Sequence, residues 1–261
     1  MTPQNRVIIL TGATQGIGRA TTFALAGAGC ILALAARNVD TLQKLVDELN
    51  SAGHQSIAIP TDMGDTSQAA ALAKKTIDHF GKIDVVINNA GISVRDDVIN
   101  LQETEARKVM DVNYFGPVAL IQAAIPHLKT NPEGGLIINI SSIVGRRAMP
   151  GISGYCASKG ALEKFANSMR VELKPANIRV STIYPGVTQT AFNSNSLGGS
   201  QQGRGRVSGV PPEKVAQAIL KTIRKERRDV FITLFDRTFV TASMLLPGLM
   251  DWMLGRYLGR E

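Results

Sequence analysis

From residue 7 to residue 184, short apolar runs alternate with longer stretches of mixed polarity. The apolar runs are VIIL at 7–10, ILALA at 31–35, VVI at 85–87 and LIINI at 136–140. Such runs are too short for buried helices and are rich in β-branched residues, so they predict strands. Strands are expected at 7–11, 31–35, 56–60, 84–88, 136–141 and 179–184, with a last one within RRDVFIT near 227–233. The intervening segments space their apolar positions three and four apart and predict helices at 17–28, 39–52, 66–80, 102–129, 153–174 and 212–227. Strand–helix alternation implies parallel strands joined by crossover helices. Strands with so few polar positions imply helices on both faces of the sheet. The expected fold is therefore α/β, a doubly wound parallel sheet of the dinucleotide-binding type. It carries a C-terminal helical tail, and all 261 residues are read as one catalytic domain.

Two segments break the pattern. NSNSLGGSQQGRGRVSGVPP at 193–212 is polar and glycine-rich, and reads as a mobile loop over the substrate. Residues 238–261 form an amphipathic tail, interrupted at Pro247 and Gly248 and carrying Asp251, so it is not a spanning helix. Packing on the protein's own core or on a second subunit is the favoured reading of the tail. A lid over an apolar substrate comes next, and a peripheral membrane contact last.

Composition narrows the class. Hydrophobic residues at 44% and charged residues at 19% exclude a disordered chain. The N-terminus lacks the basic, apolar and cleavable regions of a signal peptide in series. Two cysteines, Cys30 and Cys156, cannot make a disulfide framework and read as reduced thiols of a cytoplasmic protein. Cys156 is read as packing. Three scattered histidines have no metal-ligand spacing, so no metal is expected. Of the net charge of +8, residues 201–261 hold +5, from 11 basic and 6 acidic side chains. The basic excess is thus a C-terminal feature. Lys221, Arg224, Lys225, Arg227 and Arg228 form a cluster upstream of the tail. No nucleic-acid partner is expected.

The chemistry begins at VIILTGATQGIGRA, a strand, a turn and a helix. Gly12, Gly16 and Gly18 allow a tight turn and let the backbone approach a pyrophosphate at the N-terminus of the next helix. Dinucleotide sites usually place an acid about 20 residues on, to hold ribose hydroxyls. Here Ala36, Arg37 and Asn38 follow Gly18 by eighteen to twenty residues. No carboxylate repels a 2′-phosphate, and Arg37 offers it a fork of donors, so NADP is expected over NAD. Tyr155 and Lys159 share a helix face, and Ser142 ends a strand thirteen residues before Tyr155. A phenol titrates near pH 10. An ammonium at about 4 Å and an effective dielectric of 20 contributes about 4 kcal/mol, which lowers that value by about three units before desolvation losses.

The segments TGATQGIG (11–18), NNAG (88–91), VNYFG (112–116), INISS (138–142), YCASK (155–159) and IYPGVTQT (183–190) occur in this order. Together they resemble the short-chain dehydrogenase/reductase family, in its short single-domain branch. The resemblance implies the following roles. Ser142 hydrogen-bonds the substrate oxygen, Tyr155 passes its proton, Lys159 lowers the Tyr155 pKa and binds the nicotinamide ribose, and Asn113 holds a water relay. Gly12, Thr14, Gly16, Ile17 and Gly18 surround the phosphates and adenosine. Asp62 and Met63 match the adenine-binding position, and Asn89, Ala90 and Gly91 the adenosine side. Pro185, Gly186, Thr188 and Thr190 match the segment that holds the nicotinamide. The implied activity is NADP(H)-dependent interconversion of a ketone or aldehyde and its alcohol, by a homo-oligomer. A non-catalytic NADP-binding sensor is the alternative. The tail resembles that of members acting on lipid-like carbonyls, which makes an apolar substrate an expectation. Ser93, Val144, Met149, Ile152 and Phe192 are the expected pocket residues.

Overall fold

A computed structural model describes residues 1–200 and 208–257. Its strands are β1 (Val7–Thr11), β2 (Ile31–Ala36), β3 (Ser56–Pro60), β4 (Val85–Asn88), β5 (Gly135–Ile140), β6 (Ile178–Tyr184) and β7 (Asp229–Phe231). They form one sheet in the order β3-β2-β1-β4-β5-β6-β7. Every pairing is parallel. The chain order reverses between β1 and β4, which opens a crevice at the C-terminal strand ends.

All residues of β1, β4 and β5 are buried. Successive side chains of β1 go to opposite faces, as the period of two requires. Ile8 and Leu10 join Leu25, Leu42, Val215 and Ile219. These come from α1 (Gly16–Gly27), α2 (Val39–Ser51) and α7 (Pro212–Lys225). Ile9 joins Leu72, Leu120 and Ala166 on the other face. Those belong to α3 (Thr66–Phe80), α5 (Gly116–Lys129) and α6 (Ser153–Glu172).

The continuous helix expected over 102–129 is instead α4 (Glu103–Met110), a π turn at Asp111–Phe115, and α5. The reason is tertiary. A Cβ at Gly116 would lie 2.0 Å from the Met63 carbonyl oxygen. Asn113, inside the π turn, accepts from the Ile92 N–H and donates to the Ile92 carbonyl, both at 2.9 Å. The extra residue per turn aims Asn113 at the β4 end.

The segment expected as a mobile loop is tied down at both described ends. Leu197 bridges Val94, and Val210 bridges Thr188. The Gly199 N–H donates to the Asp96 carboxylate at 3.1 Å. Residues 201–207 of that segment lie outside the described residues.

The tail is helical and breaks at Pro247, as expected: α8 (Leu234–Leu245) and α9 (Pro247–Tyr257). Packing on the protein's own core holds for Val240 but not for most of the stripe. Met244, Leu245, Leu246, Leu249, Trp252 and Met253 are all exposed. The basic cluster is not beside this stripe. Glu226, at the end of α7, pairs with Arg179 at the start of β6 and with the N-terminal ammonium. The cluster therefore sits at the N-terminal edge of the sheet, while α8 follows the C-terminal end of β7. No helix among the described residues is long and apolar enough to cross a membrane.

Candidate functional site

A cleft of about 1110 Å³ runs across the C-terminal ends of β1, β2, β4, β5 and β6. One end is built of glycines. Gly12 and Gly16 have positive φ, +67° and +48°. A Cβ on Gly18 would come within 1.9 Å of the Gly12 carbonyl oxygen, so the turn folds directly against the first turn of α1. Thr14 and Ile17 complete this wall of the cleft. No side chain caps α1 at Gln15. Its first N–H groups and positive dipole end thus face the cleft, an arrangement that suits a pyrophosphate.

The ends of the neighbouring strands frame the same space. Buried Ala36 and exposed Arg37 line it where β2 stops. Asn38 also lines it, and its Oδ1 accepts from the Thr41 N–H at 2.8 Å, capping α2. Asp62, beyond β3, holds the Gly64 N–H at 2.9 Å, and Met63 beside it is buried. After β4, the Asn89 amide donates to the Thr11 carbonyl at 2.9 Å, and the Ala90 N–H donates to Thr11 Oγ1 at 3.0 Å. These bonds press Asn89, Ala90 and Gly91 against Gly12. A Cβ on Gly12 would lie 2.9 Å from Ala90 Cα. After β6, Pro185, Gly186, Thr188 and Thr190 line the cleft from the opposite side. The Thr190 methyl lies 2.9 Å from where a Gly16 Cβ would stand. The donor set is thus backbone N–H groups, a helix N-terminus and one exposed guanidinium, which fits a dinucleotide with an added phosphate.

At the other end, four polar side chains converge. Ser142 follows β5 and caps a short 3-10 turn at Ile143–Gly145, its Oγ accepting from the Val144 N–H at 3.3 Å. The same hydroxyl donates to the Pro185 carbonyl at 3.3 Å. Tyr155 and Lys159 lie on α6 and both line the cleft. Lys159 Nζ donates to the Ile140 carbonyl at 2.8 Å and stands 5.9 Å from the Tyr155 ring centre. Asn113 reaches the same neighbourhood, its amide donating to Ser158 Oγ at 2.9 Å. Gly91 separates it from the lysine: a Cβ there would lie 3.2 Å from Asn113 Oδ1 and 3.4 Å from Lys159 Nζ.

Burial pushes the Tyr155 phenol well above its ordinary value, and the hydrogen bond with Ser142 offsets this only in part. Lys159 is also fully desolvated, which brings its ammonium down to about 8. Burial works against both charged forms. The Asn113 side chain fastens the segment after β4 to α6: its amide donates to the Ile92 carbonyl and to Ser158 Oγ, and its oxygen accepts from the Ile92 N–H.

The five expected pocket residues, Ser93, Val144, Met149, Ile152 and Phe192, all line this end. The Phe192 ring lies 5.5 Å from the Tyr155 ring. Cys156 is buried beside Met149, whose N–H meets its sulfur at 3.4 Å, consistent with packing. Sequence reasoning missed Phe235 and Phe239 of α8, which line the same space. Their spacing of four residues was a readable signal of one shared helix face.

The family model for short chain dehydrogenase matches residues 6–199. The chain is 38% identical over 256 residues to Mus musculus "Dehydrogenase/reductase SDR family member 7B", covering 94% of this chain and 79% of that protein. It is 32% identical over 259 residues to an uncharacterized oxidoreductase of Bacillus subtilis, covering 98% of this chain and 73% of that one. Among solved structures, an alcohol dehydrogenase from the archaeon Thermococcus sibiricus, complexed with 5-hydroxy-NADP, superposes with a TM-score of 0.76 at 30% identity. That match covers 87% of this chain and 95% of the archaeal one. A short chain dehydrogenase from Burkholderia cenocepacia in complex with NADP gives 0.82 at 26% identity over 97% and 99% of the two chains. A Burkholderia phymatum structure in complex with NAD shares the fold, with a TM-score of 0.87 at 23% identity over 96% of each chain.

Proposed function

The chain belongs to the short-chain dehydrogenase/reductase family of oxidoreductases, and from that membership we propose that it is NADPH-dependent and interconverts a ketone or aldehyde with the corresponding alcohol. The observation that carries this reading is the convergence of Ser142, Tyr155 and Lys159 in one cleft with the glycine turn.

In this reading the glycine turn and the start of α1 bind the pyrophosphate. Asp62, Met63 and Asn89 to Gly91 flank the adenosine, and Pro185 to Thr190 flank the nicotinamide. Arg37 takes the 2′-phosphate, which Ala36 does nothing to repel. NADP-bound relatives support that preference, while the NAD-bound relative shows that the fold also serves the other cofactor. The bound nicotinamide supplies a hydride to the carbonyl carbon, or accepts one from the alcohol in reverse. Ser142 Oγ donates a hydrogen bond to the carbonyl oxygen and polarises it. As the C=O π pair moves onto oxygen, the Tyr155 O–H gives that oxygen its proton and becomes phenolate. Lys159, still cationic at neutral pH, stabilises the phenolate through the low-dielectric interior.

A nucleotide sensor without chemistry would have no use for a buried Tyr-Lys pair at the cleft. The test is loss of NADPH absorbance over a panel of small, aromatic and long-chain carbonyls. Turnover of at least one, lost in Tyr155→Phe, is expected; tight NADPH binding with no turnover of any would favour the sensor.

A further inference from the structure

The family match stops at residue 199, yet the cleft is finished by residues beyond it. Phe235 and Phe239 stand one turn apart on α8, their rings stacked at 6.2 Å between centres and inclined by 20°. Both line the cleft that Met149, Ile152 and Phe192 also line. Phe235 is nevertheless 73% exposed. An exposed phenyl stacked on a half-buried one along a cleft wall is apolar surface without its cover, and an apolar ligand supplies one.

The helix carrying the pair is fixed to the site at both sides of the reacting centre. Thr233 and Asp236 form a reciprocal capping box at its start. The buried Asp236 carboxylate fills the space beside Gly186, where a Cβ would come within 2.2 Å of its oxygen. Val240 anchors the next turn in the core. Farther on, Asp251 of α9 pairs with Arg147, which lies between Ser142 and Met149. The pair of rings is thus held between the segment carrying Gly186 and the segment carrying the serine. The other exposed apolar residues of the tail, Met244 to Met253, do not line the cleft.

We propose that Phe235 and Phe239 are specificity-determining residues that form the outer wall of the substrate site, and that they select carbonyl compounds bearing a large apolar substituent. The proposal deepens the carbonyl-reductase reading and rests on it for the placement of the reacting carbon near Tyr155. The polar end of the substrate meets Ser142 and Tyr155. The apolar substituent runs past Phe192 and covers the phenyl pair.

The experiment compares wild type, Phe235→Ala, Phe239→Ala and the double variant on a series of straight-chain methyl ketones of rising length, with an aryl ketone series in parallel. For the longest members, kcat/KM should fall about tenfold in each single variant and about a hundredfold in the double variant, mostly through KM, because each covered phenyl is worth about a factor of ten in binding. For the shortest member and for NADPH, the constants should stay within about twofold. Trp252→Ala, exposed and off the cleft, should change none of them. Uniform losses across the series, or unchanged values for the longest members, would overturn the wall. Calorimetric binding of a long-chain alcohol to the NADP-loaded protein separates the two readings. Binding weakened in the double variant supports the wall even where no carbonyl is turned over, whereas absent turnover counts against the reaction alone. Binding equal in wild type and double variant overturns the wall.

Discussion

Lys159 stands one helical turn after Tyr155, yet its ammonium donates to the Ile140 carbonyl at 2.8 Å and lies 5.9 Å from the phenol ring centre. The lysine therefore braces α6 against the end of β5, between the strand that carries Ser142 and the helix that carries Tyr155. Burial pushes the Tyr155 phenol up and the Lys159 ammonium down, each toward its neutral form.

Tyr155→Phe removes the hydroxyl that the proposed reaction uses as proton donor while leaving the buried ring in place. General acid–base groups contribute about 10²–10⁴-fold, so kcat should fall by that order. NADPH affinity should hold, since the phenol acts on the substrate. Steady-state rates together with a fluorescence titration of NADPH check both halves. Turnover within a few fold of wild type would remove Tyr155 from the mechanism.

Lys159 also gives the ligand-free chain a pH signature. Its pKa is about 8 when folded, against 10.5 for the ordinary side chain. Between those values the unfolded chain binds more protons, so this lysine makes folding stability rise with pH across that window. Below pH 8 the cost of burying its charge is present in full. Cys30 and Cys156, raised by burial from 9, act in the opposite sense from there upward, and Tyr155 joins them above 10. The difference between wild type and Lys159→Met isolates the lysine. Urea midpoints measured from about pH 7 to pH 10 should show wild type gaining on the variant above pH 8. A constant difference would mean that the lysine titrates normally.

What could be read in advance was what the local chain dictates. The runs around Val7 and Val85 had to be strands buried on both faces, and Gly12 to Gly18 had to be a turn the backbone could tighten. Ser142, Tyr155 and Lys159 were visible through spacing on elements that end at the crevice. What escaped depends on distant partners. The π turn at Asp111–Phe115 arises where Gly116 meets Met63 and Asn113 meets Ile92. The sign of the Tyr155 shift depends on how completely the ring is buried. Phe235 joins the cleft because Asp236 fits beside Gly186, fifty residues earlier in the chain.

Arg37 is exposed on the cleft wall next to Ala36, with no carboxylate at either position. Arg37→Ala should raise the KM for NADPH about tenfold or more, the worth of a charge-assisted contact of about 1.5–3 kcal/mol, and leave that for NADH nearly unchanged. Ala36→Asp adds a carboxylate that repels a 2′-phosphate, and should reverse the preference. Ratios of kcat/KM for the two cofactors decide the matter. Equal use of both by the unaltered protein would show that Arg37 reads no phosphate.

Asn113 is fully buried, with its two amide hydrogens given to Ile92 and Ser158 and its oxygen to the Ile92 N–H. Asn113→Ala leaves the half-buried Ile92 N–H and carbonyl, and the buried Ser158 Oγ, each one partner short. At about 1–3 kcal/mol for each group left unsatisfied, the loss in stability should be at least about 2–4 kcal/mol, with part of it relieved by water entering the space. The activity loss should follow from displacement. Ile92 is next to Gly91, and Gly91 lies between Asn113 and Lys159, so releasing that wall should raise the KM for NADPH as well as lower kcat. Asn113→Asp keeps the acceptor for the Ile92 N–H but sets a carboxylate against the Ile92 carbonyl. It should be no more stable than the alanine variant. Chemical denaturation and cofactor titration of both variants test the role. Normal stability and normal NADPH affinity with only kcat reduced would assign Asn113 to proton transfer instead of positioning.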